Sequence, residues 1–368
     1  MYIFQIIDGL TTGGAEQLQV TFANEAKKRG FKLAVISLDD GSNSQYLEQL
    51  RALDVPVYFF PTKRILDWKN LLSILRLIRM EKPDILHAHL TYAYIIGSLV
   101  AFFAGIPIVA TLHSTGFAPN LGVRTAWAEK FALRHLTHQV IACGPAVAQH
   151  YKQTVKKDDS VLIIPNAVDI KQVGMSPQEC EKMRRQIAGE VNRFVIISVG
   201  RLVPSKGYDD LLDAFSILRL STPNAFLAIA GSGNYKSAME QKIKDLKLSS
   251  SVNLLDWRTD IPLLLAVSDM FVLASHWEGL PIAVLEAMSA GLPVLATDVS
   301  DNAWAIGDTG ITVPPHQPEL LAAAMKELVS DPARCKTLGL AARIRIEEKF
   351  NPSDWFDKIV SAYQGVLN

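Results

Sequence analysis

The sequence predicts an α/β protein of two doubly wound halves, and three observations lead there. Short β-branched, apolar runs alternate with helix-period segments along the whole chain, the signature of parallel βαβ units. The runs are nearly continuous in apolar residues, as strands covered on both faces are. A Pro-, Asn- and Gly-bearing stretch, "IIPNAVDIKQVGMSPQE", interrupts the rhythm near the middle. With 368 residues and 49% hydrophobic content, the chain is long enough for two cores of ordinary size.

The first half opens with the buried strand "YIFQIID", followed by a helical pattern from Ala15 to Arg29 and the strand "KLAVISL". A second helix, Leu66 to Met80, leads to the strands "DILHAHL" and "PIVATLH". Between Ile85 and Val123 there is no Asp, Glu, Lys or Arg, and "YIIGSLVAFFAGIPIVATL" approaches the length of a membrane span. Gly105 and Pro107 divide it into a helix-length piece and a short strand, which argues against a span. The start "MYIFQIIDGL" lacks a basic n-region and reads as a strand rather than a signal peptide. The second half repeats the pattern through "RFVIISVG", "AFLAIAG", "SVNLLD", "MFVLAS" and "PVLATD". The linker is expected near Pro165 to Pro177, with domains at 1–165 and 166–351 and a closing helix, about 352–368, packing back on the first. Ligands of open α/β sheets bind at the carboxyl ends of strands, so two Rossmann-like domains facing across a cleft would gather the strand-end loops there.

Charge excludes some functions and leaves others open. Lys+Arg and Asp+Glu are equal at 37 each, so no whole-molecule field points to nucleic acid. From Met1 to Pro165 there are 17 basic and 13 acidic residues, net +4; the remainder, 20 against 24, is net −4. In the basic half, "VRTAWAEKFALRHLTH" sets Arg124, Lys130 and Arg134 among Trp127, Phe131 and Leu133, and "TKR" with Lys69, Arg76 and Arg79 adds charge. The mixture suits an interfacial helix on an anionic membrane and equally a helix packed on its own domain. Cys143, Cys180 and Cys335 are odd in number and far apart, reading as reduced thiols of a cytoplasmic protein.

The unusual residues fall in the strand-end loops. In "DGLTTGGAEQ", Gly13 and Gly14 open a helix whose free N–H groups attract anions, although a plain tight turn reads the same way. In "GRLVPSKGYDD", Arg201 and Lys206 stand five apart, flanked by Gly200 and Gly207. The spacing is not a Walker A loop, but two such cations suit a diphosphate, Arg by bidentate bonds and Lys as a point charge. "AGSGN", with Gly231 and Gly233, is a further loop where backbone can approach a ligand. In "HWEGLPIAVLEAMSAGLPVLATD", Glu278 and Glu286 are two carboxylates in an apolar segment expected to be buried, a costly placement unless a partner or a hydroxyl-rich ligand meets them. Pro281 suits the first position of a helix, which puts Glu278 in the preceding loop and Glu286 in the second turn. His113 follows a strand; His87 and His89 alternate on another, with no Cys or carboxylate at metal-ligand spacing. No Asp-x-Asp triplet occurs.

Taken together, "GRLVPSKG", "AGSG", "EGLPIAVLEAMSAGLPVLATD", "TTGGAEQ", "ATLHSTG" and "IPNAVD" resemble, in order and along nearly the whole chain, the family-4 retaining glycosyltransferases of the GT-B fold. The resemblance implies a nucleotide-sugar donor bound mainly by the C-terminal domain and an acceptor bound mainly by the N-terminal one. It implies that Glu278 bonds hydroxyls of the donor sugar, Glu286 the ribose hydroxyls, and Arg201 with Lys206 the phosphates. His113 matches a family histidine near the donor sugar, Asn166 a cleft or hinge residue, and Arg258 lies where members hold the base. The N–H groups of Leu280 and Ile282 would complement the diphosphate. Two departures are evident: Glu278-Gly279-Leu280-Pro281 replaces the common Glu-Gly-Phe-Gly, and in "LLDWRTDIP" the usual glycine is lost around Asp256 and Trp257.

The expectation is a retaining hexosyltransferase, UDP-sugar favoured, that needs no metal or other cofactor and acts on a cell-envelope glycan or lipid-linked acceptor, on the inner face of the plasma membrane where it meets one. Two other classes remain: a hydrolysing nucleotide-sugar epimerase, which would need acid–base carboxylates in the N-terminal half, and a non-catalytic sugar-nucleotide-binding protein. Turnover of donor with acceptor present separates the three.

Overall fold

Strands that bury both faces need cover on both sides, and this chain follows almost every strand with a helix. The computed structural model describes all residues except 12, 42–43, 63–66, 116–121, 157–159 and 171–173. It divides into two compact units, Met1–Ala167 with Pro352–Asn368, and Val168–Asn351.

The first unit runs β1 (Tyr2–Ile7), α1 (Gly14–Lys28), β2 (Lys32–Ser37), α2 (Gln45–Ala52), β3 (Val57–Phe59), α3 (Trp68–Glu81), β4 (Ile85–His89) and α4 (Thr91–Ala104). It continues through β5 (Ile108–Leu112), α5 (Val123–Phe131, prolonged by a π-helical turn at Ala132–Leu136), β6 (Gln139–Ala142), α6 (Pro145–Thr154) and β7 (Leu162–Ile163). All pairings are parallel, in the order β3-β2-β1-β4-β5-β6-β7, so the order reverses between β1 and β4. The apolar run ends its helix at Gly105, which takes the left-handed φ of +70° as C-cap, and resumes as β5. Among the described residues, no helix is long and apolar enough to cross a membrane.

The second unit runs α7 (Pro177–Ala188), β8 (Phe194–Val199), α8 (Tyr208–Ser221), β9 (Ala225–Ala230), α9 (Lys236–Asp245), β10 (Val252–Leu254), α10 (Ile261–Ala266) and β11 (Met270–Leu273). Then follow α11 (Ile282–Ser289), β12 (Val294–Thr297), α12 (Asn302–Ile306), β13 (Ile311–Val313), α13 (Pro318–Ser330) and α14 (Pro332–Lys349). The order β10-β9-β8-β11-β12-β13 reverses between β8 and β11. Helix starts follow local chemistry: Ser176 and Glu179 form a reciprocal capping box ahead of α7, and Pro177, Pro318 and Pro332 sit in first turns, where a missing N–H costs nothing. Arg184 ties α7 to its sheet by pairing with Asp269 at 2.8 Å and donating to the Val191, Arg193 and Val267 carbonyls.

The last helix, α15 (Pro352–Leu367), belongs to the first unit. Phe356 packs on Phe22 of α1 at 4.7 Å between ring centroids and Trp355 meets the same ring edge-on at 5.9 Å. The fully buried Tyr363 bonds His87 Nδ1 at 2.6 Å.

Three details differ from the sequence expectation. The strands β3, β6, β7 and β13 were not among the runs read as strands; each spans only two to four residues. The helix expected from Leu66 starts at Trp68, because the Asp67 carboxylate caps it by accepting the N–H groups of Lys69 and Asn70. Within the expected linker, Asn166, Ala167 and Val168 are buried, and the Val168 N–H donates to the Phe350 carbonyl. Thr12, Lys63, Arg64, Gly116 and linker residues 171–173 lie outside the described residues.

Tyr363→Phe tests the join between α15 and the first sheet. The phenol shares a hydrogen bond with His87 Nδ1 and another with the Gln5 side chain, so its loss leaves buried polar atoms unpaired. The expected cost is about 1–3 kcal/mol, read as a lower denaturant midpoint with unchanged m-value.

Candidate active site

In the second unit the loops that leave β8 and β11 flank the point where strand order reverses, the place where open α/β sheets bind ligands. The β8 loop carries Arg201, exposed, and Lys206, which closes a short 3-10 turn at Pro204–Lys206. The β11 loop carries Glu278. The Lys206 ammonium meets Glu278 Oε1 at 2.5 Å, and the Ser275 hydroxyl donates to the same oxygen at 2.6 Å. Both side chains are largely buried, at 17% and 10% exposure. The Glu278 carbonyl accepts from the Ser300 hydroxyl, and the His276 N–H donates to the Ser205 carbonyl at 2.9 Å, which fixes one loop against the other.

Glycine is required here by the chain itself. Gly207 holds φ at +63°, and a Cβ there would lie 1.9 Å from the Ala274 carbonyl oxygen. A Cβ on Gly231, φ +156°, would lie 1.9 Å from the Gly200 carbonyl oxygen, and one on Gly233 would lie 2.1 Å from that of Leu202. These glycines are therefore, first, places where the β8 loop touches the end of β11 and the β9 loop.

The Glu278-to-Glu286 segment folds nearly as expected. Pro281 is the N-cap of α11 rather than its first residue, with φ −73° and ψ 122°, and the helix begins at Ile282. Glu286, half-buried, stays in the second turn. Leu280, Pro281 and Ile282 bury their side chains, leaving only backbone for a ligand. Arg258 is held by Asp260 through two bonds, at 2.7 and 2.6 Å, while Trp257 is exposed and Asp256 pairs with Lys236.

In the first unit, Gly13 is the N-cap of α1 in extended conformation, Gly14 is its first residue, and the Gly13 carbonyl accepts from the Gln17 N–H. Asn166 is buried just before the boundary between the units. His113, at the end of β5, is part of a column of imidazoles: His113 Nε2 lies 3.0 Å from His89 Nδ1, and the His89 ring stands 4.1 Å from that of His87. Both nitrogens of His87 are engaged by hydroxyls, those of Tyr363 and Thr111. Burial holds His87 at about 3 and His113 at about 4, and pushes His89 well below its ordinary value, so all three are neutral near pH 7.

Two carboxyl groups escaped the sequence reading. Asp8, after β1, accepts the N–H groups of Ala93 and Tyr92 at the start of α4, yet burial raises it to about 7. Glu129 of α5, which accepts from the Thr91 hydroxyl, is raised to about 7 for the same reason. A tertiary environment sets both values, and no local motif marks either residue.

Comparison with known proteins fits this geometry. The description "Glycosyltransferase Family 4" matches residues 12–172, and "Glycosyl transferases group 1" matches residues 180–345. The chain is 31% identical over 281 residues, 74% of its length and 73% of the relative's, to the UDP-Gal:alpha-D-GlcNAc-diphosphoundecaprenol alpha-1,3-galactosyltransferase of Escherichia coli. It belongs to the family-4 glycosyltransferases. The capsular polysaccharide biosynthesis glycosyltransferase CapM of Staphylococcus aureus is 23% identical over 93% of this chain and 92% of its own. Anabaena HepE, in a crystal structure with UDP-glucose, superposes with a TM-score of 0.88 at 22% identity, covering 99% of this chain and 100% of its own, which establishes the GT-B architecture.

Gly207→Ala is expected to destabilise the second unit by more than about 1 kcal/mol, since alanine must adopt a left-handed φ and push Ala274 aside. Gly174→Ala, with no atom within 4 Å of the added carbon, should leave the unfolding midpoint unchanged. Equal midpoints for the two variants would contradict the close approach.

Proposed function

We propose that this glycosyltransferase moves a hexose from a nucleotide-diphosphate sugar, a UDP-sugar first, to a hydroxyl of a lipid-linked or cell-envelope glycan with retention of configuration. The Lys206–Glu278 pair at the reversal of the second sheet carries the proposal, because it joins a phosphate-binding cation to a carboxylate suited to sugar hydroxyls. The Escherichia coli relative acts from UDP-Gal on a diphosphoundecaprenol-linked sugar, CapM serves capsular polysaccharide biosynthesis, and HepE holds UDP-glucose; these support the donor and acceptor classes.

In the reading we favour, Arg201, Lys206 and the N–H groups at the start of α11 take the charge that grows on the leaving diphosphate. Glu286 accepts from the ribose hydroxyls and Glu278 from the donor sugar, exchanging its bond to Lys206 for bonds to substrate. Within the second unit, Gly231, Gly233 and Arg258 shape the remainder of the donor site; in the first unit His113, neutral, can offer a hydrogen bond rather than a charge. The acceptor oxygen attacks the anomeric carbon on the face the diphosphate leaves. As the bond from that carbon to phosphate oxygen breaks, the oxygen takes the acceptor proton, so no protein nucleophile is consumed. Positioning and charge stabilisation by the protein suffice, and no metal takes part.

Asp8 and Glu129 give a hydrolysing epimerase the acid–base pair it would need, so the assay must separate the two. Transferase action requires acceptor for turnover; an epimerase or hydrolase would consume donor without it, and a binding protein would consume none. Glu286→Ala should weaken nucleotide binding by about 1–3 kcal/mol with folding intact. Transfer should persist in chelator and give, by NMR, a product with the donor's anomeric configuration. Inversion, or abolition by a chelator that leaves the melting temperature unchanged, would overturn the mechanism.

We also assign membrane contact to α5, on the cytoplasmic face. Trp127, 67% exposed, stacks on the exposed Phe131 at 5.5 Å beside Lys130, with Arg124 and an exposed Val123 in the same helix. Sedimentation with anionic vesicles should be seen at low salt and fall at high salt and in Trp127→Ser. Indifference to vesicle charge would remove the assignment.

A further inference from the structure

Outside the groups used above, one cluster in the second unit converges on a point that the transfer reaction does not need. Asp210 lies in the first turn of α8, His276 in the loop after β11, and His316 in the loop after β13. His276 Nε2 is 2.7 Å from Asp210 Oδ2, and His316 Nδ1 is 3.7 Å from the same oxygen. One ligand atom from each residue lies within 4.8 Å of the others. The imidazoles face each other at 3.8 Å between centroids, tilted by 37°. His316 takes a φ of +59°, a conformation rare for a residue with a Cβ, and thereby sets its ring beside the other two groups.

We infer that Asp210, His276 and His316 form a binding site for a borderline divalent transition-metal ion, Zn²⁺ foremost. Two imidazoles and one carboxylate are the ligand set such an ion prefers, whereas Mg²⁺ and Ca²⁺ seek oxygen alone. Ligand atoms about 2 Å from a common centre lie a little over 3 Å apart, a spacing these three reach with small side-chain rotations. His316 is 64% exposed, so solvent completes the coordination and the ion has a way in. The site is separate from the phosphate loop but touches it: a Cβ on Gly207 would lie 3.1 Å from His276 Nε2, and the His276 N–H already donates to Ser205.

The ion would join three chain segments that enter the site from different strands. It would hold the loop that carries Glu278 against the start of α8, next to the turn that ends in Lys206. Its effect is on the stability of that arrangement and not on the bond being broken, so the proposal stands whether or not the reaction is the one proposed above.

Full-length protein stripped with chelator and titrated with Zn²⁺ alone should bind one ion per chain and melt at a higher temperature. Co²⁺ should give the visible d–d absorption of a low-coordinate nitrogen and oxygen site. His316→Asn, which tolerates the left-handed φ, and Asp210→Asn should each weaken Zn²⁺ binding at least about tenfold and abolish the melting shift, with secondary structure unchanged. Cys180→Ser, which removes a partly exposed thiol, should bind as the parent does. Absence of binding in the parent, equal binding in His316→Asn, or loss of binding in Cys180→Ser would each overturn the site.

Discussion

The second unit is organised around a charge pair placed where charges are expensive. Lys206 and Glu278 lie in loops leaving two neighbouring strands, and each is mostly removed from water. A buried pair roughly offsets its own desolvation, but removing either member strands the other at a cost of about 3–5 kcal/mol. The pair survives because the loops hold it from several sides: Ser275 adds a second bond to the carboxylate, the Ser300 hydroxyl donates to the Glu278 carbonyl, and the His276 N–H closes on Ser205. The strand order explains why such a site can exist at all. β8 and β11 are neighbours whose connections run to different parts of the sheet, so the loops at their carboxyl ends meet at the point where the strand order reverses.

The first unit solves a different problem, keeping polar side chains inside a sheet without charge. His87, His89 and His113 are stacked from two strands, and neutrality is what burial demands of them. Their hydrogen bonds come from distant parts of the chain. Tyr363, from the last helix, serves His87 on one side while Thr111 serves it on the other. Phe356 and Trp355 of that helix are packed on Phe22, so the end of the chain completes a core begun at its start.

What the sequence made legible follows from what is local. Both sheets were readable because parallel strands buried on two faces write long apolar runs, and the Glu278 loop because a proline, a glycine and two carboxylates stand at fixed spacing. The strands β3 and β13 escaped because three residues are too few to show a period. Asp8 and Glu129 escaped for another reason: their elevated values arise from the packing of α4 and α5, which no neighbour in sequence reports. The same holds for Asp210, His276 and His316, separated by 66 residues between the first two and brought together only by the sheet order. Lys206 and Glu278 were both legible as candidates, but their contact with each other was not.

The glycines answer a demand of the chain itself that their motif alone does not display. Loops rich in glycine at strand ends invite the inference that a ligand needs the space, and in Gly207, Gly231 and Gly233 the space is needed by carbonyl oxygens of the same chain. A backbone oxygen 1.9 Å from the new carbon has nowhere to move without dragging its strand. The glycines therefore act before any substrate arrives: they let the β8, β9 and β11 loops lie against one another. That contact puts Lys206 within reach of Glu278, and it is the reason a short run of small residues and a buried ion pair occur in the same place.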